Sequence, residues 1–312
     1  MTHLTVSGDP LANAKGVGWA VLAVGLFSFM YVSGKLTGNF AAASQIVWLR
    51  YVGGLITVLV LAPICGRRSL HFRTGQVHIH FIRAACGGFG SMAAIYAATH
   101  MTVANATAIG LLDGLFTVVL GILLLGERVS IKQWGAAAIC LLGAMIIVAG
   151  GGFRLQTETS MLLPALVALS GALLVAAENI LIKRLARSED ALIVLYYVNL
   201  FGAALFAIPA FLQWHGLPTS HTILFLLLGP LAIAGQACNI QAFKLADAAV
   251  IGPIRYVWIV FGAAFGWLLF HEKISSNVFL GSILILSGGV MLATRKQERE
   301  CNKKRRHPDK AA

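Results

Sequence analysis

Charge is scarce in this chain, and negative charge scarcest. Asp, Glu, Lys and Arg make up 12% of its 312 residues, and 12 acidic residues face 24 basic ones. With 58% hydrophobic residues and a mean hydropathy of +0.81, a chain of this length cannot hide its apolar surface in a water-soluble fold. No GxxxxGK phosphate-binding loop is present, so the chain carries no ATP-driven engine of that type. Neither a nucleophile–base set nor a metal triad falls within the apolar stretches, which argues against an intramembrane enzyme, and no cofactor is expected. Five cysteines (Cys65, Cys86, Cys140, Cys238 and Cys301) lack metal-ligand spacing and read as free structural thiols. His71, His78, His80 and His100 also lack such spacing and read as histidines at span ends. Met1 to Ala14 is polar, without the basic start and apolar core of a cleavable signal.

What the chain has instead is apolar length. Stretches of about 20 apolar residues suffice to cross a bilayer, and they fall at roughly 17–35, 43–63, 79–99, 103–125, 131–150, 161–183, 191–212, 222–243, 248–270 and 277–294. Basic residues near spans stay in the cytoplasm. One set of alternate connections collects Lys15, then Arg67, Arg68 and Arg73, then Arg128 and Lys132, then Lys183, Arg184 and Arg187, then Lys244, and finally the tail from Arg295 to Lys310. The other set holds only Lys35, Arg154 and Lys273. The expectation is a multi-pass inner-membrane protein with both termini cytoplasmic. Its basic tail, residues 295–312, then reads as an anchor on anionic lipid, not as a nucleic-acid site.

The chain also repeats itself at a shift of 145 residues. LLLGERVS (Leu123 to Ser130) returns as LLFHEKIS (Leu268 to Ser275), aligning Glu127 with Glu272 and Ser130 with Ser275. Ala97, Ala104, Phe116, Gly121, Leu141 and Gly143 meet Ala242, Ala249, Phe261, Gly266, Leu286 and Gly288 at the same shift. Five spans per unit make the second unit run opposite to the first. Inverted repeats are an architecture of alternating access, in which two halves rock about a site near the midplane.

Two five-span halves, a basic residue closing the first helix of each (Lys35 in SGKL, Lys183 in LIKRL), the stretch IYAATHMTVANATAI and the pair LLGERVS and LLFHEKIS together resemble the EamA-type members of the drug/metabolite transporter superfamily. The resemblance runs from about Val17 to Arg295. It implies an all-α polytopic membrane protein of ten transmembrane helices in two inverted five-helix repeats, 17–150 and 161–294. It further implies a central cavity among helices one to four and six to nine, with helices five and ten outside and available for a homodimer. That family usually has a proline 13 residues before the Glu of the fourth helix. Here the position is Gly114, so the local kink must come from glycine or be absent.

Charge at the bilayer centre is costly unless it faces water or a partner, so intramembrane polar residues are the site candidates. Asp113, near the middle of helix four between Gly110 and Gly114, is one. Arg255 in helix nine, after Gly252 and Pro253 and beside Tyr256, is its expected counterpart across the cavity. Two readings stand: a substrate or coupling site, and a structural ion pair. Arg50 in helix two, beside Tyr51, is a further candidate. Tyr196, Tyr197 and Asn199 on helix seven, with Gln236, Asn239 and Gln241 on helix eight, offer neutral hydrogen bonds. Trp48, Trp258 and Trp267 offer stacking surfaces, though an interfacial or lipid-facing place is the default for Trp. Arg83 reads as snorkelling to the interface, Glu178 as pairing with a nearby basic residue or forming part of the wall, and Glu127 and Glu272 as caps of the helices that follow them. These features point to a secondary transporter that moves a small polar, amino-acid-like or amphoteric metabolite, most simply outward. An importer of a vitamin or nucleoside-like compound and a non-transporting receptor or assembly subunit are the alternatives.

Overall fold

The computed structural model describes residues 10–36, 41–64, 73–100, 103–127, 129–150, 162–214, 216–270 and 276–293. These residues form twelve helices: α1 Pro10–Leu36, α2 Ala43–Ile64, α3 Val77–His100, α4 Val103–Gly110, α5 Leu112–Leu125, α6 Ile131–Gly150, α7 Leu162–Ser188, α8 Ala191–Leu212, α9 Thr219–Leu245, α10 Ala248–Ile254, α11 Val257–Phe270 and α12 Ser276–Ala293. Helical structure is what hydrocarbon demands, because every backbone N–H and C=O must find its partner within the chain.

Twelve helices make ten passes, because α4 with α5 and α10 with α11 are each one pass with a break. The second break falls at Arg255 and Tyr256, whose N–H groups reach back only three residues, to Gly252 and Pro253. Pro253 has no N–H to give and so removes a rung of the ladder there. The first break falls at Leu111, where Gly114 N–H turns to the Leu111 carbonyl at 3.3 Å. The pass is thus broken, with the break one residue after Gly110 and three before Gly114. Among the described residues, eight segments are long and apolar enough to cross a membrane by themselves, and Ser276–Leu292 is a shorter apolar helix.

Without water to drive association, helices in lipid hold together through close packing, and small residues permit it. α3 packs along α7, α1 along α9, α2 along both α8 and α9, and α6 along α12. At the α2–α9 crossing a Cβ placed on Gly229 would lie 2.2 Å from the Gly53 carbonyl carbon, so the two backbones touch where glycine allows. Gly143 and Gly281 do the same for α6 and α12. The outward surfaces carry Leu123, Leu142, Ile208, Leu212, Leu227 and Phe279, all exposed in the manner of lipid-facing positions.

The repeat is visible in the packing. From α3 onward the shift of 145 holds, but α2 and α8, each 22 residues long, are offset by 148, as Lys35 and Lys183 are. Gly54 makes room for the Asn199 side chain; Gly202, 148 residues later, makes room for the Tyr51 ring. Tyr51 and Asn199 are themselves 148 apart, so one contact is the two-fold image of the other. The membrane face at which α1 begins is called the N-face below.

Candidate functional site

Six helices leave a polar cavity at the waist of the bundle. Its walls are Phe27 of α1, Arg50 and Tyr51 of α2, Gly87 and Ser91 of α3, Glu178 of α7, Val198 and Asn199 of α8, and Ala232, Ile233 and Gln236 of α9. It encloses about 450 Å³, counting its open mouth. On α3 the positions 83, 87 and 91 fall one above another, so a single stripe of that helix faces inward. Gly87 is bare for a reason: a Cβ there would sit 2.7 Å from the Glu178 carboxyl carbon.

Arg83 corrects the sequence reading. It does not snorkel but is fully buried, donating from Nη1 to the Val194 carbonyl at 3.2 Å and from Nη2 to Gln236 Oε1 at 2.9 Å. Among the described residues its Nε has no hydrogen-bond partner, and Glu178 Oε1 lies 3.9 Å away. Depth along α3 suggested an interfacial arginine, but direction decides, and α3 turns this stripe toward α7 and α8. Glu178 accordingly belongs to the cavity wall. Arg50 lies over the Tyr51 ring at 4.7 Å, and among the described residues no carboxylate stands within ion-pair distance of it. Arg50, Arg83 and Arg255 all act electrostatically on the one carboxylate of Glu178. The cavity wall therefore carries one arginine, Arg50, and one acid, Glu178, with Arg83 buried close to the acid.

Asp113 and Arg255 do pair: Arg255 donates to Asp113 Oδ2 from Nε at 2.8 Å and from Nη2 at 2.7 Å. The pair stands behind the cavity, where α5 meets the break between α10 and α11, and neither residue lines the wall. Gly114 and Gly252 bring those backbones together; a Cβ on Gly252 would lie 2.7 Å from the Gly114 carbonyl oxygen. A short chain of bonds connects pair and cavity. Asn179, next to Glu178, donates to Thr117 Oγ1 at 3.2 Å, and Thr117 donates to the Asp113 carbonyl at 2.7 Å.

Of the neutral candidates, Asn199 and Gln236 line the cavity and the others do not. Tyr197 stacks on His80 at 4.9 Å, and Asn239 is buried beside the wall. Tyr256 is buried against Gly114 and lines a second, apolar cavity with Trp134, Val118 and Leu141. Trp258 and Trp267 are 37% and 55% exposed, as outward-facing residues, while Trp48 packs between Phe211 and Trp214 and donates to the Ala203 carbonyl. His80 is no surface histidine: it is fully buried and lies 2.7 Å from Glu189.

At the N-face a second charged cluster joins the halves. Lys183, fully buried near the end of α7, is ion-paired with Glu127 and with Asp247 at 2.9 Å, and donates to the Ala246 carbonyl at 3.3 Å. Glu127 is a cap, as its position suggested, but of a different helix. It accepts from the N–H groups of Ala248 and Ala249, both at 3.1 Å, which open α10 in the other half. The helix that follows it, α6, is capped by Ser130 and Gln133 exchanging bonds with each other's backbone N–H. Glu272 lies outside the described residues.

A duplicated bundle of five-pass halves, interrupted helices and a charged cavity at the waist defines a membrane transporter, not an enzyme. The profile of the EamA-like transporter family matches the chain twice, over residues 14–149 and 162–294. The chain belongs to that family, within the drug/metabolite transporter superfamily. It is 28% identical over 288 residues to the pseudopaline exporter CntI of Pseudomonas aeruginosa, covering 91% of this chain and 97% of that one. It is 23% identical over 273 residues to an S-adenosylmethionine uptake transporter of Rickettsia prowazekii, covering 87% and 90%. A riboflavin transporter of Rhizobium johnstonii is 27% identical over 306 residues, covering 96% and 98%. A solved crystal structure shares the fold with a TM-score of 0.76 at 20% identity, over 89% of this chain and 97% of that one.

Proposed function

We propose that this protein exports a small amphoteric metabolite, one carrying both a carboxylate and a cationic nitrogen, by alternating access through the cavity between Arg50 and Glu178. The observation that carries the reading is the charge pattern of that wall. Arg50 has a planar donor fork and no carboxylate of its own among the described residues, which suits it to a substrate carboxylate. Glu178, held at the opposite wall by Gly87 and Gln236, suits an ammonium group. Asn199 and Ser91 offer neutral hydrogen bonds between them. The Asp113–Arg255 pair then serves as a brace behind Glu178, connected to it through Asn179 and Thr117.

The N-face is the cytoplasmic face in this reading, since Arg73, Lys132, Arg184, Arg187 and Lys244 all belong to connections or helix ends there. Outward movement agrees with the exporter among the relatives, while the uptake transporters show that the same frame serves either direction. α6 and α12 spend one face on each other and keep Leu142, Phe279 and Ile283 exposed, which leaves a surface for a homodimer.

The test is flux in proteoliposomes, with S-adenosylmethionine and a set of labelled amino acids as probes, after comparing metabolites inside and outside cells with and without the protein. Arg50→Gln should reduce flux by about 100-fold or more, the loss of a charged contact of about 3 kcal/mol, at unchanged membrane content. Arg50→Gln flux equal to that of the parent would move the substrate away from this wall.

A further inference from the structure

Polar groups do not stop at the cavity. Along the seam of α3, α7 and α8 they continue to the N-face. His80 lies one turn before Arg83, with Nε2 2.7 Å from Glu189 Oε2 and its ring stacked on Tyr197. Glu189, in the turn after α7, also accepts from the Thr74 hydroxyl. The buried side-chain nitrogens left without a hydrogen bond among the described residues are His80 Nδ1 and Arg83 Nε, and both belong to this row.

Packing alone does not ask for such a row, and the molecule itself shows this. The seam related by the internal repeat, on the opposite face, has Phe225 where this one has His80, Leu228 for Arg83, Leu49 for Tyr197, Ala41 for Glu189 and Met30 for Glu178. Those five residues form one apolar cluster, in which Phe225 is as fully buried as His80. One arrangement of helices is thus built twice, once in hydrocarbon and once in titratable groups.

We propose that the row Glu189, His80, Arg83 and Glu178 is a proton-binding site reached from the N-face alone, and that its occupancy opposes binding of a cationic group at Glu178. The inference rests on the transport reading above. A proton that enters through Glu189, in the turn at the N-face, and passes to His80 Nε2 leaves the imidazole protonated on both nitrogens, a second cation one turn from Arg83. Repulsion then moves Arg83 across the 3.9 Å gap onto Glu178, and the carboxylate is no longer free for an ammonium group. Loss of that proton to Glu189 and water reverses the change. Facing His80 are Glu189 beyond α7, Tyr197 on α8 and Arg83 on its own helix; facing Arg83 are Glu178 on α7, Tyr51 on α2 and the neutral Gln236 on α9.

The test needs no substrate. In a background without the native cysteines, Ser188→Cys reports the seam, because Ser188 holds Gln76 across it at 3.0 Å. Everted vesicles are treated with a membrane-impermeant maleimide between about pH 5.5 and 8, the histidine range, and rates are divided by those of the unfolded protein. Labelling should change roughly fivefold or more across that range, and His80→Phe with Glu189→Ala, which installs the pair already present on the opposite face, should abolish the change. His80→Gln, which keeps a donor for Glu189 but cannot titrate, should do the same if the double variant fails to reach the membrane. A pH response that persists in these variants, or is absent from the parent, overturns the proposal. Because no transported compound enters, failure of the flux assay leaves this result standing, and the reverse.

Discussion

Lys183→Met tests whether the N-face cluster is a lock or only a rivet. Removing one partner of a buried ion pair costs about 3–5 kcal/mol, because the other charge is left uncompensated. Here the cost falls to the lower end of that range and below it, because both acids keep partners. Glu127 keeps the two N–H groups of Ala248 and Ala249, and Asp247, half-exposed, keeps Arg187 at 3.5 Å. That leaves about 2–3 kcal/mol. If the cluster holds the N-face closed and is broken when that face opens, the equilibrium shifts toward the open state by about 30- to 150-fold. Ala246 is the reporter: it is 1% exposed and packs on Gly16, whose added Cβ would lie 2.8 Å from the Ala246 side chain. In Ala246→Cys protein within everted vesicles, initial labelling by an impermeant maleimide should rise by at least an order of magnitude on adding Lys183→Met, up to the chemical limit of the reagent. Unchanged labelling with a lowered unfolding temperature would refute the lock, leaving the cluster a joint that holds in both states. If neither quantity moves, the ion pair contributes nothing measurable.

Two further substitutions probe the frame. Gly229→Ala should lower the thermal midpoint in detergent by the equivalent of about 1–3 kcal/mol or more, since its Cβ would fall 2.2 Å from the Gly53 backbone; Gly18→Ala, with open space around it, is the matched control and should leave the midpoint unchanged. Asp113→Asn and Arg255→Gln should each reduce folded yield, by less than the 3–5 kcal/mol of a fully buried pair because Arg255 is 26% exposed. The double variant should regain yield in size-exclusion profiles while flux stays low, and full flux in the double variant would remove the pair from the transport path.

Passes, repeat and family were legible because each rests on a signal longer than a helical turn: an apolar window, a shift, a pair of motifs. What the sequence hid was direction around each helix. Arg83 and His80 lie near one end of α3, and depth alone assigns such residues to the interface. Only the packing of α3 against α7 and α8 turns them inward. Gly87 and Ser91, one and two turns beyond Arg83, were the available sign, since a small and a polar residue on that stripe leave room for a charge. Glu127 was read correctly as a cap and wrongly as a local one, because its acceptors' partners at Ala248 and Ala249 lie 121 and 122 residues away. The break at Leu111 has only Gly110 beside it to announce it, whereas Pro253 marks its counterpart.

The internal repeat also sorts structure from chemistry, in a direction opposite to the first intuition that repeated residues matter most. In an alternating-access protein the two halves exchange roles, so whatever joins them should occur twice. Glu127 and Glu272 repeat, as do Lys35 and Lys183, and the described members of these pairs form the N-face cluster. Gly54 and Gly202, which seat Asn199 and Tyr51, repeat as well. A group that recognises one substrate need occur only once. At the same shifts Arg50 faces Val198, Arg83 faces Leu228, Glu178 faces Met30 and His80 faces Phe225. Subtracting one half of the sequence from the other therefore leaves Arg50, Arg83, Glu178 and His80 among the charged or titratable remainders, together with Glu189 opposite Ala41 and with Asp113 and Arg255 opposite Trp258 and Gly110. Arg50, Arg83 and Glu178 meet at the cavity or its wall, His80 and Glu189 stand on the row that continues from it to the N-face, and Asp113 and Arg255 pair with each other behind it. Ser91 and Gln236 set the limit of the rule, for they are polar, 145 residues apart, and both line the cavity. Neutral donors can serve either half, while a fixed charge commits the site to one orientation of its ligand.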